Sequence, residues 1–251
     1  MDREETGVLA SLSSFLARKG RRAWPLTVVE KTRISPRMMR VRFSGADLDE
    51  LEWKRGQDMV LEIPQEGGIA RRHYTIRHHV AAARLLDIDF VLHGASPAGR
   101  WVANAKAGDE LIAVGPRGHT YLRDADWHLF VGDETCIPGI FAMLEGLPPG
   151  AQAHAILESD GSEEALSPDA KAAVTLEWVS RNGAPAGPSR LLYERVERFA
   201  FPKGRGHAYV IGETGNVRTI RHRLIERGLA KDQIAAEGYW RHGRIGGHDH
   251  V

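Results

Sequence analysis

The run Arg71-Arg72-His73-Tyr74-Thr75-Ile76-Arg77 brings arginines, a flat aromatic and a hydroxyl into one short stretch. On a β-strand, residues two apart point to the same side. Arg72 and Tyr74 then share a face with Ile76, while His73, Thr75 and Arg77 take the other. Where such a strand ends or bends, the two sets converge on one ligand edge. A guanidinium clamps a phosphate bidentately, a phenol ring stacks on a planar heterocycle, and a threonine hydroxyl bonds a ring nitrogen. The pattern suits a large, anionic, aromatic ligand. The ordinary alternative is a surface strand carrying solvated arginines.

Three other stretches carry similar potential. His93-Gly94-Ala95-Ser96-Pro97-Ala98-Gly99-Arg100-Trp101 reads as a small-residue turn entering a helix, with Ser96 as N-cap and Pro97 in the first position. A helix N-terminus suits a pyrophosphate, although most capped helices bind nothing. Gly132-Asp133-Glu134-Thr135 and Gly212-Glu213-Thr214 follow strand-like runs, and open α/β sheets bind ligands outside the carboxyl ends of their strands. Neither is a Gly-x-Gly-x-x-Gly or Walker A loop, and each taken singly is an ordinary strand-to-helix turn. In the tail Gly238-Tyr239-Trp240-Arg241-His242-Gly243-Arg244, Tyr239 suits packing, whereas Trp240, Arg241 and Arg244 suit a site wall.

No metal site is expected. His78 and His79 would face opposite sides of a strand, and His248-Asp249-His250 lies in a tail with nothing to fix its geometry. Cys136 reads as a small buried residue at a helix start rather than a redox thiol.

These residues need elements to hold them. Residues 8–18 have helical spacing and end at Gly20. From Trp24 to Gly118 the period is two, with strands expected over 26–30, 39–43, 59–63, 74–77, 86–92 and 110–114 and one helix over 97–105. That is a small antiparallel barrel or sandwich. From Trp127, strands at 128–132, 153–158, 174–179, 208–212 and 234–238 alternate with helices at 138–147, 191–199 and 215–227. Such alternation means a parallel, helix-covered sheet, giving a two-domain β + α/β chain whose boundary lies near residues 123–126. The Gly- and Pro-rich stretch 181–189 is an internal loop.

Composition narrows the function classes. Over 251 residues, 42% hydrophobic and 27% charged content describes a soluble globular protein. A net charge of +1 supplies no basic field for nucleic acid. The single cysteine excludes an intramolecular disulfide and a multi-cysteine zinc or iron–sulfur site, and favours a reducing compartment. The start Met1-Asp2-Arg3-Glu4-Glu5 is too acidic for a signal peptide. No run approaches the roughly 20 apolar residues of a membrane span. A cytoplasmic protein without membrane insertion is expected.

Together the motifs resemble the siderophore-interacting proteins, flavin-dependent ferric-siderophore reductases of the ferredoxin-reductase-like superfamily. The residues that carry the likeness are Arg72-x-Tyr74-Thr75-x-Arg77, His93-Gly94 with Pro97-Ala98 and Trp101, Gly115-Pro116-Arg117-Gly118, Gly132-Asp133-Glu134-Thr135, Gly212-Glu213 and Tyr239-Trp240-Arg241. They run in order from about residue 23 to residue 245. The resemblance implies an N-terminal helix or arm over 1–22, an antiparallel β-barrel binding FAD over 23–123, and a parallel-sheet α/β domain binding NAD(P)H over 124–251. Carried over, Arg72 holds an FAD phosphate, Tyr74 stacks on the isoalloxazine, Thr75 bonds near flavin N5 and Arg77 contacts the cofactor. His93, Ser96, Ala98 and Trp101 belong to the pyrophosphate turn and helix. Asp133, Glu134 and Thr135 border the nicotinamide cleft, and Glu213 and Trp240 are further cofactor-binding candidates.

The implied activity is reduction of Fe(III) in a ferric siderophore, with NADH, NADPH or ferredoxin as donor. An anionic iron complex needs a basic pocket, for which Lys54, Arg55, Arg123, Arg241 and Arg244 are candidates, solvated surface cations being the alternative. Two other readings stand beside it: an FAD oxidoreductase with another acceptor, and a non-catalytic siderophore-binding protein. Glu158 and Asp160 would favour a ribose hydroxyl and so NADH, whereas Arg181 would receive a 2′-phosphate and so favour NADPH.

Overall fold

A computed structural model describes residues 22–92 and 96–244 and the backbone of 249–250. The helix expected over 8–18, His93, His248 and the side chain of His250 lie outside the described residues. The chain divides into two compact units, one of residues 22–34, 38–53 and 57–118, the other of 35–37, 54–56 and 119 onward. No helix among the described residues is long and apolar enough to cross a membrane.

The first unit holds β1 (Ala23–Ser35), β2 (Met38–Ser44), β3 (Asp58–Gln65), β4 (Gly68–Thr75), β5 (His78–Val80), β6 (Leu85–Val91), helix α1 (Pro97–Asn104) and β7 (Glu110–Arg117). They form a seven-stranded sheet in the order β4-β3-β7-β1-β2-β6-β5, with β3–β4, β3–β7, β1–β7, β2–β6 and β5–β6 antiparallel. Alternation drives it. Met39, Val41 and Phe43 of β2 enter the same core as Met59, Leu61 and Ile63 of β3 and Leu86, Ile88 and Phe90 of β6. Between these apolar positions, Asp87 and Asp89 of β6 take bidentate bonds from Arg42 and Arg40 across the β2–β6 ladder.

Residues 71–77 sit where this sheet closes on itself. β4 and β5 stand at opposite ends of the strand order, yet Ile76 and Arg77 alone separate them. The Ile76 N–H donates to the Gln57 carbonyl at 3.0 Å and the Arg77 N–H to the Asp87 carbonyl at 2.9 Å. The chain thus steps from beside β3 to beside β6 within two residues. The rings of Tyr74 and Phe90 meet across the seam with centroids 4.3 Å apart. The strand expected over 74–77 is therefore corrected to Gly68–Thr75, paired with β3 over its whole length. Thr75, Ile76 and Arg77 are consecutively buried, so strand alternation ends at Thr75.

The second unit holds β8 (Trp127–Asp133), α2 (Ile137–Leu144), β9 (Gln152–Ser159), β10 (Ala173–Ser180), α3 (Leu191–Arg198), β11 (Gly206–Glu213), α4 (Thr214–Glu226), β12 (Ile234–Trp240) and the two-residue β13 (Asp249–His250). The order is β10-β9-β8-β11-β12-β13. All pairs are parallel except β12–β13. The order reverses between β8 and β11, the switch point at which such sheets bind ligands. Leu129 and Val131 of β8 and Val210 of β11 pack with Val217, Ile220 and Leu224 of α4.

On these central strands, His128 and His207 are buried beside the parallel rings of Phe130 and Tyr209, whose centroids are 4.7 Å apart. The His128 Nδ1 and His207 Nε2 are buried without a hydrogen-bond partner among the described residues. Burial first, and the nearby Arg123 charge second, hold His207 down to about 4. The unfolded chain takes up that proton near pH 6.5. Between these values the unfolded state binds more protons, so stability falls as pH drops from about 6.5 to about 4, by about 2–3 kcal/mol from this residue. Urea unfolding at pH 7 and pH 4.5 should show a correspondingly smaller acid loss for His207→Leu. Equal losses in the two proteins would refute the assignment.

Candidate functional site

Arg72 and Tyr74 lie on β4, an end strand of the sheet. Its two adjacent arginines differ. Arg71 Nε is 2.9 Å from Glu62 Oε1 and forms an ion pair. Arg72 donates to the Arg71 carbonyl at 2.8 Å and pairs with no carboxylate among the described residues. Tyr74 is partly buried against the core; that burial pushes its phenol well above the usual 10.0, and the Arg72 charge only partly opposes it. Thr75 is buried, opposite Asp58 in the β3–β4 register. His73 is held by Asp58 Oδ2 at 2.6 Å and lies 3.3 Å from Arg117 Nη1.

Arg77 is only 4% exposed. Its Nη1 is 2.8 Å from His78 Nε2 and its Nε 3.6 Å from Asp89 Oδ2. Its charge is spent inside the fold, at the closing seam. Ser96 caps α1 through the Gly99 N–H at 3.0 Å, with Pro97 following. Ala98 is buried in the core, and Trp101 stacks 6.3 Å from Phe43. Beside α1, a groove of about 540 Å³ is lined by Trp101, Arg100, Pro97, Pro64, Gln65 and Glu66 among others.

In the second unit, residues of three separate sequence stretches meet at one carboxylate, with Thr135, Glu213 and Trp240 all bonded to Asp133. Asp133 Oδ1 accepts the Thr135 N–H at 2.9 Å and the Thr135 hydroxyl at 2.5 Å. Its Oδ2 accepts the Glu213 N–H at 2.8 Å and the Trp240 indole N–H at 2.9 Å. Asp133 therefore ties together the ends of β8, β11 and β12. Burial raises its carboxyl above the ordinary value, reinforced by the Glu134 charge. The approach needs glycine: a Cβ at Gly212, where φ is +138°, would sit 2.5 Å from Asp133 Oδ2, and one at Gly132 would sit 2.1 Å from Cys136 Sγ. Glu213 caps α4 through the Asn216 N–H at 2.9 Å. Cys136 is fully buried, and burial lifts its thiol well above 9.0, which makes it unreactive.

The structure also joins two of the predicted basic residues. Lys54 Nζ lies 4.5 Å from the centroid of the Tyr121 ring and Arg123 Cζ lies 3.9 Å from it. Cation–π attraction thus gathers two like charges on one aromatic. Tyr121 was missed in the sequence, although its spacing of two from Arg123 puts both on one side of an extended segment. Arg55 is directed elsewhere, donating to the Ala142 carbonyl at 3.2 Å. Arg241 and Arg244 follow β12 in a turn closed by the Arg244 N–H to the Arg241 carbonyl at 3.1 Å.

A model of the siderophore-interacting protein family matches residues 125–243, and one of the siderophore-interacting FAD-binding domain matches residues 54–120. Ferric vibriobactin reductase ViuB of Vibrio cholerae serotype O1 is 32% identical over 244 residues, covering 87% of this chain and 89% of its own. The crystal structure of a siderophore utilization protein from T. fusca superposes with a TM-score of 0.83 at 36% identity, covering 90% of this chain and 95% of that one. The ferredoxin reductase in carbazole 1,9a-dioxygenase shares the fold alone, with a TM-score of 0.68 at 17% identity over 85% of this chain and 68% of that one. Sheet order, strand-end motifs and these matches agree: the chain belongs to the siderophore-interacting protein family and has its ferredoxin-reductase-like β plus α/β architecture.

Proposed function

We propose that this protein reduces Fe(III) held in an anionic ferric siderophore, using FAD bound on residues 23–123 and a nicotinamide bound on residues 124–251. The observation that carries the reading is Arg72, a cation unmatched by any described carboxylate, two strand positions from a partly buried tyrosine on an end strand. Its neighbour Arg71 is neutralised by Glu62. A phosphate beside Arg72 and a flat ring system against Tyr74 fit that arrangement. Similarity to ViuB supports the acceptor.

FAD, when bound, accepts two electrons from a nicotinamide and passes them on singly, which a ferric ion requires. The protein's residues do the rest. Arg72 binds phosphate, Tyr74 orients the ring and Ser96 fixes the start of α1 for the pyrophosphate. Lys54 and Arg123, gathered by Tyr121, draw in the negatively charged iron complex together with Arg244. Reduction to Fe(II) loosens the hard oxygen donors and releases the metal. A reduced nicotinamide pool puts the reaction in the cytoplasm.

The test is anaerobic turnover of FAD-loaded protein with NADH, NADPH or reduced ferredoxin and a ferric catecholate, with Fe(II) trapped by a coloured chelator. Fe(II) should appear with at least one donor. Protein that takes up no FAD, or whose flavin is reduced while Fe(III) persists, would sink the reading. Arg123→Ala and Arg244→Ala should each raise KM for the anionic complex about 5- to 10-fold, the effect of losing about 1 kcal/mol of attraction. Turnover of a neutral quinone dye should stay within twofold.

A further inference from the structure

At the carboxyl ends of β8, β9 and β10 one arginine is enclosed by acids. Arg181 Nη1 and Nη2 lie 2.7 and 2.6 Å from the two oxygens of Glu134. Nη1 is also 3.2 Å from Glu158 Oε1, Nη2 is 4.0 Å from Asp160 Oδ1, and Nε donates to the Ala184 carbonyl at 3.3 Å. Each nitrogen of the guanidinium therefore already faces a protein oxygen, and the residue is only 6% exposed. Glu158 is equally occupied, its second oxygen accepting the Ser189 hydroxyl at 3.0 Å. Asp160, immediately beyond β9, pairs with Arg37 at 2.6 Å while keeping part of its side chain in solvent. Three carboxylates against two guanidinium groups leave the cluster net acidic.

This is the position where open α/β sheets hold the ribose of a dinucleotide's adenosine half: an acid there bonds the 2′-hydroxyl, and an available arginine there receives a 2′-phosphate. We propose that this carboxylate cage makes the protein select NADH over NADPH, with Asp160 facing the ribose and Arg181 withheld from a 2′-phosphate. The inference rests on the nicotinamide-dependent reading above. To reach Arg181, a dianionic phosphate would have to displace Glu134 from a bidentate pair and approach three carboxylates. Stripping one partner from a buried ion pair is strongly unfavourable. A neutral hydroxyl needs neither rearrangement, because one accessible carboxylate oxygen suffices. Glu134 thus acts as a specificity residue through Arg181 rather than by touching the donor's ring.

Calorimetric titration of the FAD-loaded full chain with ADP-ribose and with 2′-phospho-ADP-ribose tests this without turnover. Wild type should bind ADP-ribose at least tenfold more tightly, and Glu134→Gln, which loosens the clasp on Arg181, should narrow that ratio at least threefold. Equal affinity, or tighter binding of the 2′-phosphate compound, by wild type would overturn the proposal, as would binding of neither. In that last case, Fe(II) formation driven by reduced ferredoxin would show that the reductase reading survives while the nicotinamide inference does not. A Glu134→Gln protein that retains FAD and the wild-type ratio would also overturn the role given to Glu134.

Discussion

Arg72→Ala is expected to weaken FAD binding by about 30- to 100-fold, while Arg71→Ala changes it less than about threefold. The two arginines are neighbours on one strand, so sequence alone offers no reason to rank them. The structure does. Arg71 is committed to the buried Glu62 carboxylate at 2.9 Å, so its removal acts on the stability of the strand pair rather than on a phosphate contact. Arg72 has only the Arg71 carbonyl among the described residues, leaving its remaining donors for a phosphate. A charge-assisted contact of that kind contributes about 2–2.7 kcal/mol, which is the quoted factor in Kd. Titrating apoprotein with FAD and following flavin fluorescence measures both variants. Equal losses would show that the local charge matters only in sum, and would remove the main support for the flavin platform.

The largest stability effect is expected at Asp133. Asp133→Ala strips acceptors from the Thr135 N–H, the Thr135 hydroxyl, the Glu213 N–H and the Trp240 indole at one buried point. Each buried donor left unpaired costs about 1–3 kcal/mol. The loss is partly offset because burial already opposes the Asp133 charge. A net destabilisation of about 4 kcal/mol follows, lowering Tm by roughly 10 °C in a protein of this size. Asp133→Asn, which keeps one acceptor oxygen, should lose about half as much. Thermal unfolding of the three proteins decides it; an alanine variant within 1 °C of wild type would show that the hub carries no load.

These two sites show what the linear sequence discloses. The parallel sheet was legible because β8, β9 and β11 are apolar runs ending in Gly-Asp-Glu-Thr, Glu158 and Gly-Glu-Thr. Period two disclosed β2, β3 and β6 by the same logic, whereas the Arg42–Asp87 and Arg40–Asp89 pairs between β2 and β6 needed the strand register. The strand expected over 74–77 lies instead at Gly68–Thr75, because pairing with β3 extends it backward and the buried step at Ile76 and Arg77 ends it. Local propensity cannot report such a partner. Likewise Asp133, Thr135, Glu213 and Trp240 were each recognisable as strand-end residues, but the bonds that bring Glu213 and Trp240 to Asp133 span 80 and 107 positions. Arg181 invited a phosphate-binding reading because charge type is visible in sequence and charge neutralisation is not.

The two-residue step at Ile76 and Arg77 has a thermodynamic corollary. Arg72, Tyr74 and Thr75 belong to the same covalent segment that locks the two ends of the sheet together, so their backbone is pinned by the core on both sides. If FAD binds there as proposed, it would have little chain motion left to arrest, and its affinity would owe more to preorganisation than to induced folding.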